Sequence, residues 1–186
     1  MAIQTFPKLK RFIQTTAQKT FLAPRFDYQT IITDFSRELT HSKNLQDCMG
    51  VIKRNFLNQL EVKRVTIFLQ EYFGFSDSSE IMINLDEKDT ANTSRIEISD
   101  IKNLFQDQVV LLIDEVGDSV PIKKELIKYG AEILFVSTSR GKINGLYIIG
   151  PKLSEEPFSK EDINLCQITS SQIGSVLDRI KPYEKV

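Results

Sequence analysis

The sequence is short of the side chains that most chemistry needs. It has one histidine, His41, and two cysteines, Cys48 and Cys166. The cysteines are far apart and sit on helical patterns, which excludes a disulfide framework or a cysteine metal cluster and fits a reducing compartment. Cys48 reads as a small buried hydrophobe and not as a reactive thiol. His41 falls in a polar link, where a lone histidine is most often just solvated. No apolar run approaches the ~20 residues that cross a bilayer, and the first residues lack the apolar core of a signal peptide, so the chain reads as soluble and cytoplasmic. No segment repeats and none is low in complexity. At 186 residues the chain is about one domain, long enough to bury most of its apolar surface in a single core.

Charge is present, but unevenly. Lys8, Lys10, Arg11, Lys19 and Arg25 stand among the first 26 residues without an acid, which leaves 19 bases against 25 acids in the rest, so the leader is +5 and the remainder −6. A basic leader ahead of an acidic domain points to a surface that meets phosphate, in lipid headgroups or nucleic acid. Phe6, Leu9, Phe12 and Ile13 recur at helical spacing between those bases, making residues 6–21 a candidate amphipathic helix at a membrane surface until Pro24 interrupts the pattern. No helix-turn-helix pattern and no aromatic stacking platform accompany the bases, so no nucleic-acid partner is expected.

Beyond the leader, Asp27 is placed to cap a helix whose apolar positions are Tyr28, Ile31, Ile32, Phe35 and Leu39. Residues 40–43 form a polar link, and Leu45, Cys48, Met49, Ile52, Phe56 and Leu60 lie on one face of the next helix. Residues 64–70 alternate as a strand, with Val65, Ile67 and Leu69 on one side and Thr66 and Phe68 on the other. Residues 80–85 read as its antiparallel partner after a turn at 73–77, and residues 86–95 as a polar, flexible loop. A short helix opening at Ser99, a strand at 109–113 and a short helix at 121–128 follow, with Pro121 in its first turn and Gly130 at its end. The acids Asp114, Glu115 and Asp118 match no metal-loop spacing and read as a solvated strand end, so no metal is expected.

Apolar runs at 133–136 and 146–149 flank a polar turn carrying Arg140-Gly141 and Asn144-Gly145, the pattern of a β-hairpin. Ser137-Thr138-Ser139-Arg140-Gly141 has the make-up of an anion cradle, but a hairpin turn explains it fully. The last helix opens on Ser159, which can cap it, with Asp162 three residues on to complete a capping box. Ile163, Leu165, Cys166, Ile168, Ile173, Val176, Leu177 and Ile180 cover more than half of its circumference. One sheet face needs less, so the surplus implies a second apolar partner in another subunit. Tyr28, Ile32, Phe35, Ile168, Val176, Leu177 and Ile180 are the candidate interface of a homodimer. The order of elements is natural for one sheet with helices on its faces, an α+β layer fold.

Leu134-Phe135-Val136, then Gly145-Leu146-Tyr147-Ile148-Ile149-Gly150, then Phe158-Ser159 and Asp162 resemble the C-terminal half of a GAF domain. The likeness runs from Leu45 to Ile180. It implies an α+β, GAF/PAS-like fold with a central antiparallel sheet, helices on its faces and long N- and C-terminal helices, over residues 27–182 with a core at 43–180. Family members commonly carry a proline where this chain has Ser137. Gly145 and Gly150 bracket a buried strand and read as structural, where a missing side chain permits close approach. Phe158, Ser159 and Asp162 are structural too, with the Phe158 ring plugging the core beneath the hairpin. A GAF ligand pocket between sheet and loops would draw on Phe68, Tyr72, Phe73, Phe135 and Tyr147, which read first as core.

The segments Phe12-Ile13-Gln14, Thr20-Phe21, Arg25-Phe26-Asp27-Tyr28-Gln29 and Asp34-Phe35-Ser36-Arg37-Glu38-Leu39 resemble the link of bacterial sensor histidine kinases between a membrane-embedded region and a cytoplasmic GAF domain. A basic segment there would obey the positive-inside rule. The resemblance implies that residues 1–26 are a juxtamembrane leader and residues 183–186 the start of a linker to a downstream output domain. A receptor with a serine phosphatase or nucleotide cyclase output is the alternative parent.

The chemistry of the catalytic and cofactor-bearing relatives is missing. A kinase core needs a phosphoacceptor histidine on a helical hairpin and a glycine-rich nucleotide lid. Bilin attachment uses a cysteine often followed by histidine, whereas Gln167 follows Cys166. Haem needs an axial ligand, and His41 precedes the core. Two cysteines cannot supply the three of the methionine sulfoxide reductases on this fold. Of the cyclic-nucleotide signature Asn-Lys, Phe, Asp-Glu, Lys152, Phe158 and Asp162 match, while Pro151 and Ile163 replace the asparagine and glutamate. Lys152 and Asp162 then read as a structural salt bridge, worth ~0–1 kcal/mol if exposed. The expectation is a non-catalytic, cofactor-free sensory module, against a purely structural dimerisation spacer. A cavity between the sheet and residues 86–104 would separate them.

Overall fold

The computed structural model describes residues 28–70, 81–84, 95–106 and 108–180. The leader, the Asp27 cap, Tyr72, Phe73, the loop at 86–94 and the linker at 183–186 lie outside the described residues.

Helix α1 (Tyr28–His41) and helix α2 (Leu45–Gln59) open the fold. His41 closes α1 instead of lying in the link, its Nδ1 2.7 Å from the Arg37 carbonyl oxygen. The link shrinks to three residues because Asn44 caps α2, its Oδ1 accepting from the Asp47 N–H at 2.8 Å. Strands β1 (Val65–Gln70), β2 (Ile81–Asn84) and β3 (Arg95–Glu97) follow, and β3 runs directly into helix α3 (Ile98–Phe105). Strand β4 (Val110–Leu112), a 3-10 turn (Ile113–Glu115), helix α4 (Lys123–Lys128), strands β5 (Ile133–Ser139) and β6 (Lys142–Ile149), and helix α5 (Lys160–Ile180) complete the order. Pro121 lies before α4 and not in its first turn. Strand β3 was not expected: its three residues sit at the end of a polar stretch and carry too little alternation to register.

All pairings are antiparallel, in the order β3-β2-β1-β6-β5-β4. The hairpin turn is Arg140-Gly141 alone, both in the left-handed region at φ 50° and 73°. Asn144-Gly145 therefore lies within β6, opposite Ser137 and a register shift at Ser137/Thr138.

The sheet divides the interior in two. Ile133, Phe135, Tyr147 and Ile149 point to a core covered by α1, α2 and α5. Leu134, Val136, Leu146 and Ile148 point to a second core under α3, α4 and the 3-10 turn. Both faces are apolar because both are covered, as a continuous apolar strand run requires.

Helix α5 disposes of its broad apolar face within the chain. Phe35 of α1 is 2% exposed, and Val176, Leu177 and Ile180 are 9%, 0% and 2% exposed, so these four are core residues and not available to a second subunit. Periodicity gave the width of the stripe but not the partner, which is α1 and α2 of the same chain. Tyr28 and Ile32 are half-buried, and Ile168 remains exposed at 36%.

Candidate functional site

The polar groups that organise the molecule gather at three places. The first is the start of α5. The Asp162 carboxylate, 4% exposed, accepts from the Ser159 N–H at 2.7 Å, while the Ser159 hydroxyl accepts from the Asp162 N–H at 3.2 Å. The same carboxylate takes the Lys152 ammonium at 2.6 Å, and that ammonium lies 5.2 Å from the centre of the Phe158 ring. The three residues that match the nucleotide signature thus close on one another. The expected salt bridge is present with the Asp162 side chain buried and that of Lys152 largely covered, 6% and 17% exposed, so breaking it costs more than breaking a surface pair. Phe158 is half-buried against the helix-side core and is not a fully enclosed plug. The Tyr28 phenol is raised, first by burial and then by the charge of Asp162, and is hydrogen-bonded with Ser159.

The second place is buried under the middle of α5. The Ser137 hydroxyl donates to Asn144 Oδ1 at 2.7 Å and lies 3.3 Å from the Tyr147 hydroxyl. Asn144 Nδ2 donates to the Gly174 carbonyl at 2.9 Å, and the Ser170 hydroxyl donates to the Val136 carbonyl at 2.6 Å. A Cβ at Gly145 would stand 2.7 Å from Ser137 Oγ, and one at Gly150 would stand 3.3 Å from the Arg64 carbonyl oxygen. Sequence reading missed Asn144 and Gly174; a glycine inside a 21-residue helix was the signal available.

The third place is a cleft of about 320 Å³ on the other side of the sheet. Its floor is Leu111 and Val116, one wall is α3 with Asp100, Asn103 and Leu104, and the other is the stretch from Val120 to Ile122. Gln106, at the end of α3 with φ 46°, adds an amide at the rim. The far wall is fastened by Lys123, whose ammonium donates to the Val116 carbonyl at 2.5 Å and to Asp118 at 2.7 Å. That hydrogen bond holds the Asp118 carboxyl below its ordinary value. Glu115 Oε2 accepts from the Leu112 N–H at 3.0 Å, so Glu115 and Asp118 are held by backbone and lysine. Apolar floor and polar rim suit a small organic molecule. Asp100, Asn103 and Leu104 fall in the 86–104 stretch where a cavity was looked for, whereas the wall at 115–122 was not expected from sequence.

Among the described residues, the expected pocket aromatics Phe68, Phe135 and Tyr147 do not share a pocket. Phe135 and Tyr147 stack at 4.5 Å in the helix-side core, whereas Phe68 lies in the opposite core against Tyr129 at 5.2 Å. All three are 0% exposed and their volume is already used. Burial pushes the Tyr147 hydroxyl up, and it pushes the Cys48 thiol up to about 12. Cys166 is raised by burial and then by Asp162.

No family model matches the sequence, and no curated protein matches it. Solved structures do. The GAF domain of a phosphoenolpyruvate-protein phosphotransferase from Coxiella burnetii superposes with a TM-score of 0.64 at 12% identity, covering 86% of this chain and 98% of that one. The GAF domain of the potassium sensor histidine kinase KdpD from Escherichia coli gives 0.54 at 11% identity, covering 84% and 97%. The GAF domain of a two-component sensor histidine kinase from Bacillus halodurans gives 0.52 at 14% identity, covering 76% and 99%.

Proposed function

We propose that this chain, which has the GAF fold, is a non-catalytic sensory and regulatory domain of a signal-transduction receptor, most simply a sensor histidine kinase. Two of the similar structures come from such kinases, which supports that parent without assigning it. The observation that carries the reading is the double duty of β5. Its odd-numbered residues Ile133 and Phe135 pack under α5, and its even-numbered residues Leu134 and Val136 pack behind the cleft. A molecule seated between α3 and residues 120–122 that shifts the second core therefore also loads the strand on which α5 rests. Helix α5 carries that bias toward the C-terminus and a downstream output domain.

A second copy of the chain is the proposed partner, with residues 1–26 at a membrane surface. The buried residues of α1 and α5 cannot serve that contact. From Ile163 to Leu177, however, α5 has no charged side chain, and its exposed positions Asn164, Gln167 and Ile168 suit a like helix. Sedimentation of Ile168→Arg is expected to give monomers.

The competing reading is a spacer with no ligand, favoured by the filling of both cores. Thermal melting of the full chain against a panel of cytosolic metabolites decides between them, with Val120→Trp run alongside to fill the cleft. A compound that raises the wild-type midpoint and leaves the variant unmoved supports the sensor. No compound acting, or equal action on both proteins, removes the sensor reading and leaves the spacer.

A further inference from the structure

A second cleft opens on the helix side of the sheet, where the hairpin tip meets the last turns of α5. It measures about 570 Å³ and is lined by Thr138, Ser139, Arg140, Ser171, Ser175, Asp178 and Arg179. Six of these seven side chains are hydroxyls or guanidiniums facing one space, and none of the seven is apolar. With Asp178 counted, the lining carries a net charge of +1.

Three features of the backbone place those groups. The register shift at Ser137/Thr138 turns the strand end, as bulges do where a side chain must be re-aimed. Gly174 lets the Thr138 backbone lie directly against α5, so hairpin and helix form adjoining walls. Arg140 occupies a left-handed position, φ 50°, that glycine, asparagine or aspartate fills with less strain. Arginine there sets a guanidinium at the mouth, and it makes no hydrogen bond or ion pair with a described residue. Arg179 is oriented by its bond to the Thr40 carbonyl at 2.9 Å, which leaves the rest of its fork open. The Ser175 hydroxyl is turned back to the Ser171 carbonyl at 2.9 Å, whereas the Ser171 hydroxyl donates to no described group.

We propose that this cleft binds the oxyanion group of a small molecule, a phosphate or a carboxylate, between Arg140 and Arg179, with the Thr138, Ser139 and Ser171 hydroxyls as donors. Paired guanidiniums and hydroxyls match the flat array of acceptors that such a group presents. Asp178, in the same space, takes a hydroxyl or amine elsewhere on the ligand. Bound there, one molecule ties the hairpin tip to the end of α5. This site lies across the sheet from the 320 Å³ cleft and stands or falls independently of it.

The test is thermal melting and calorimetry of the full chain in inorganic phosphate and, separately, in succinate, against sodium chloride of equal ionic strength. The wild type is expected to show a saturable rise in midpoint with at least one anion and none with chloride. A response to phosphate alone assigns a phosphate ester, and a response to succinate alone assigns a carboxylate. Arg140→Gln is expected to weaken binding by about tenfold or more, as loss of a charge-assisted contact does. Ser171→Glu, which puts a carboxylate into the cleft from an exposed helix position, should abolish it even if Arg140→Gln fails to fold. The proposal is overturned if neither anion acts beyond chloride, or if the folded variants respond as the wild type does.

Discussion

Gly174→Ala is the sharpest perturbation available, because one methyl group separates two opposite outcomes. In an exposed helix, alanine for glycine stabilises by about 0.5–1 kcal/mol. At position 174 the new Cβ would fall against the Thr138 carbonyl oxygen, 2.5 Å from its carbonyl carbon and 2.9 Å from its nitrogen. Those are backbone atoms in a paired strand and cannot rotate away. The helix must lift, which costs about 1–3 kcal/mol as overpacking. Lifting also stretches the 2.9 Å bond from Asn144 to the Gly174 carbonyl and strands a buried amide, for about 1–3 kcal/mol more. Less the propensity gain, the net is about 1–5 kcal/mol destabilising, a fall in melting midpoint of roughly 2–20 °C for a domain of this size. Gly50, also inside a helix, is the control: a Cβ there meets nothing within 4 Å, so Gly50→Ala should stabilise by about 0.5–1 kcal/mol. Urea and thermal unfolding of both variants measure the contrast. If Gly174→Ala melts at or above the wild type, α5 does not pack against the hairpin backbone at Gly174.

Other substitutions probe the remaining features. Asp162→Ala leaves Lys152 and the Ser159 N–H without their acceptor and should cost about 3–5 kcal/mol by urea denaturation, far above a surface pair. Phe158→Ala should cost only about 1–2 kcal/mol, because the ring is half-buried. Val176→Glu with Leu177→Glu should unfold the chain by circular dichroism instead of splitting a dimer, since both residues are core. Burial raises both thiols from their ordinary 9.0, Cys48 to about 12, so folding favours the protonated forms. Their contribution to stability is complete below pH 9 and declines as the pH climbs toward 12. Neither thiol should react with a disulfide reagent at pH 8 until denaturant is added. Glu38 runs the other way: hydrogen bonds from Arg54 and Asn55 lower its carboxyl from 4.5, so its contribution is present above that value and is lost as the pH falls through the folded one. Arg54→Gln should flatten that acid limb.

What the sequence disclosed was local or periodic. The Ser159–Asp162 box is four residues long, and each group needs only its neighbour. The long helices and the hairpin declare themselves by repeat. Features made across long separations stayed hidden. Asn144 looks like a turn residue because its partner, the Gly174 carbonyl, is thirty positions on. The apolar excess of α5 looked like a subunit contact because periodicity measures how much surface must be covered and not which chain covers it. Strand β3 is three residues long and obtains its hydrogen bonds from β2, so its own side chains had little to say. The 320 Å³ cleft is enclosed by residues whose individual patterns are those of ordinary helix and loop.

Strand β5 is greasy on both sides, and that has an outcome for how the protein finds its shape. A half-wet strand is told by hydrophobicity alone which side faces in, because sliding it one place would expose its oily residues. Here such a slip merely trades Ile133 and Phe135 for Leu134 and Val136 between two dry compartments. The discrimination falls to Ser137 and Asn144, whose polar atoms find partners on one side only. A chain with valine at both places would lose little grease and much certainty, with two threadings of nearly equal merit competing during folding.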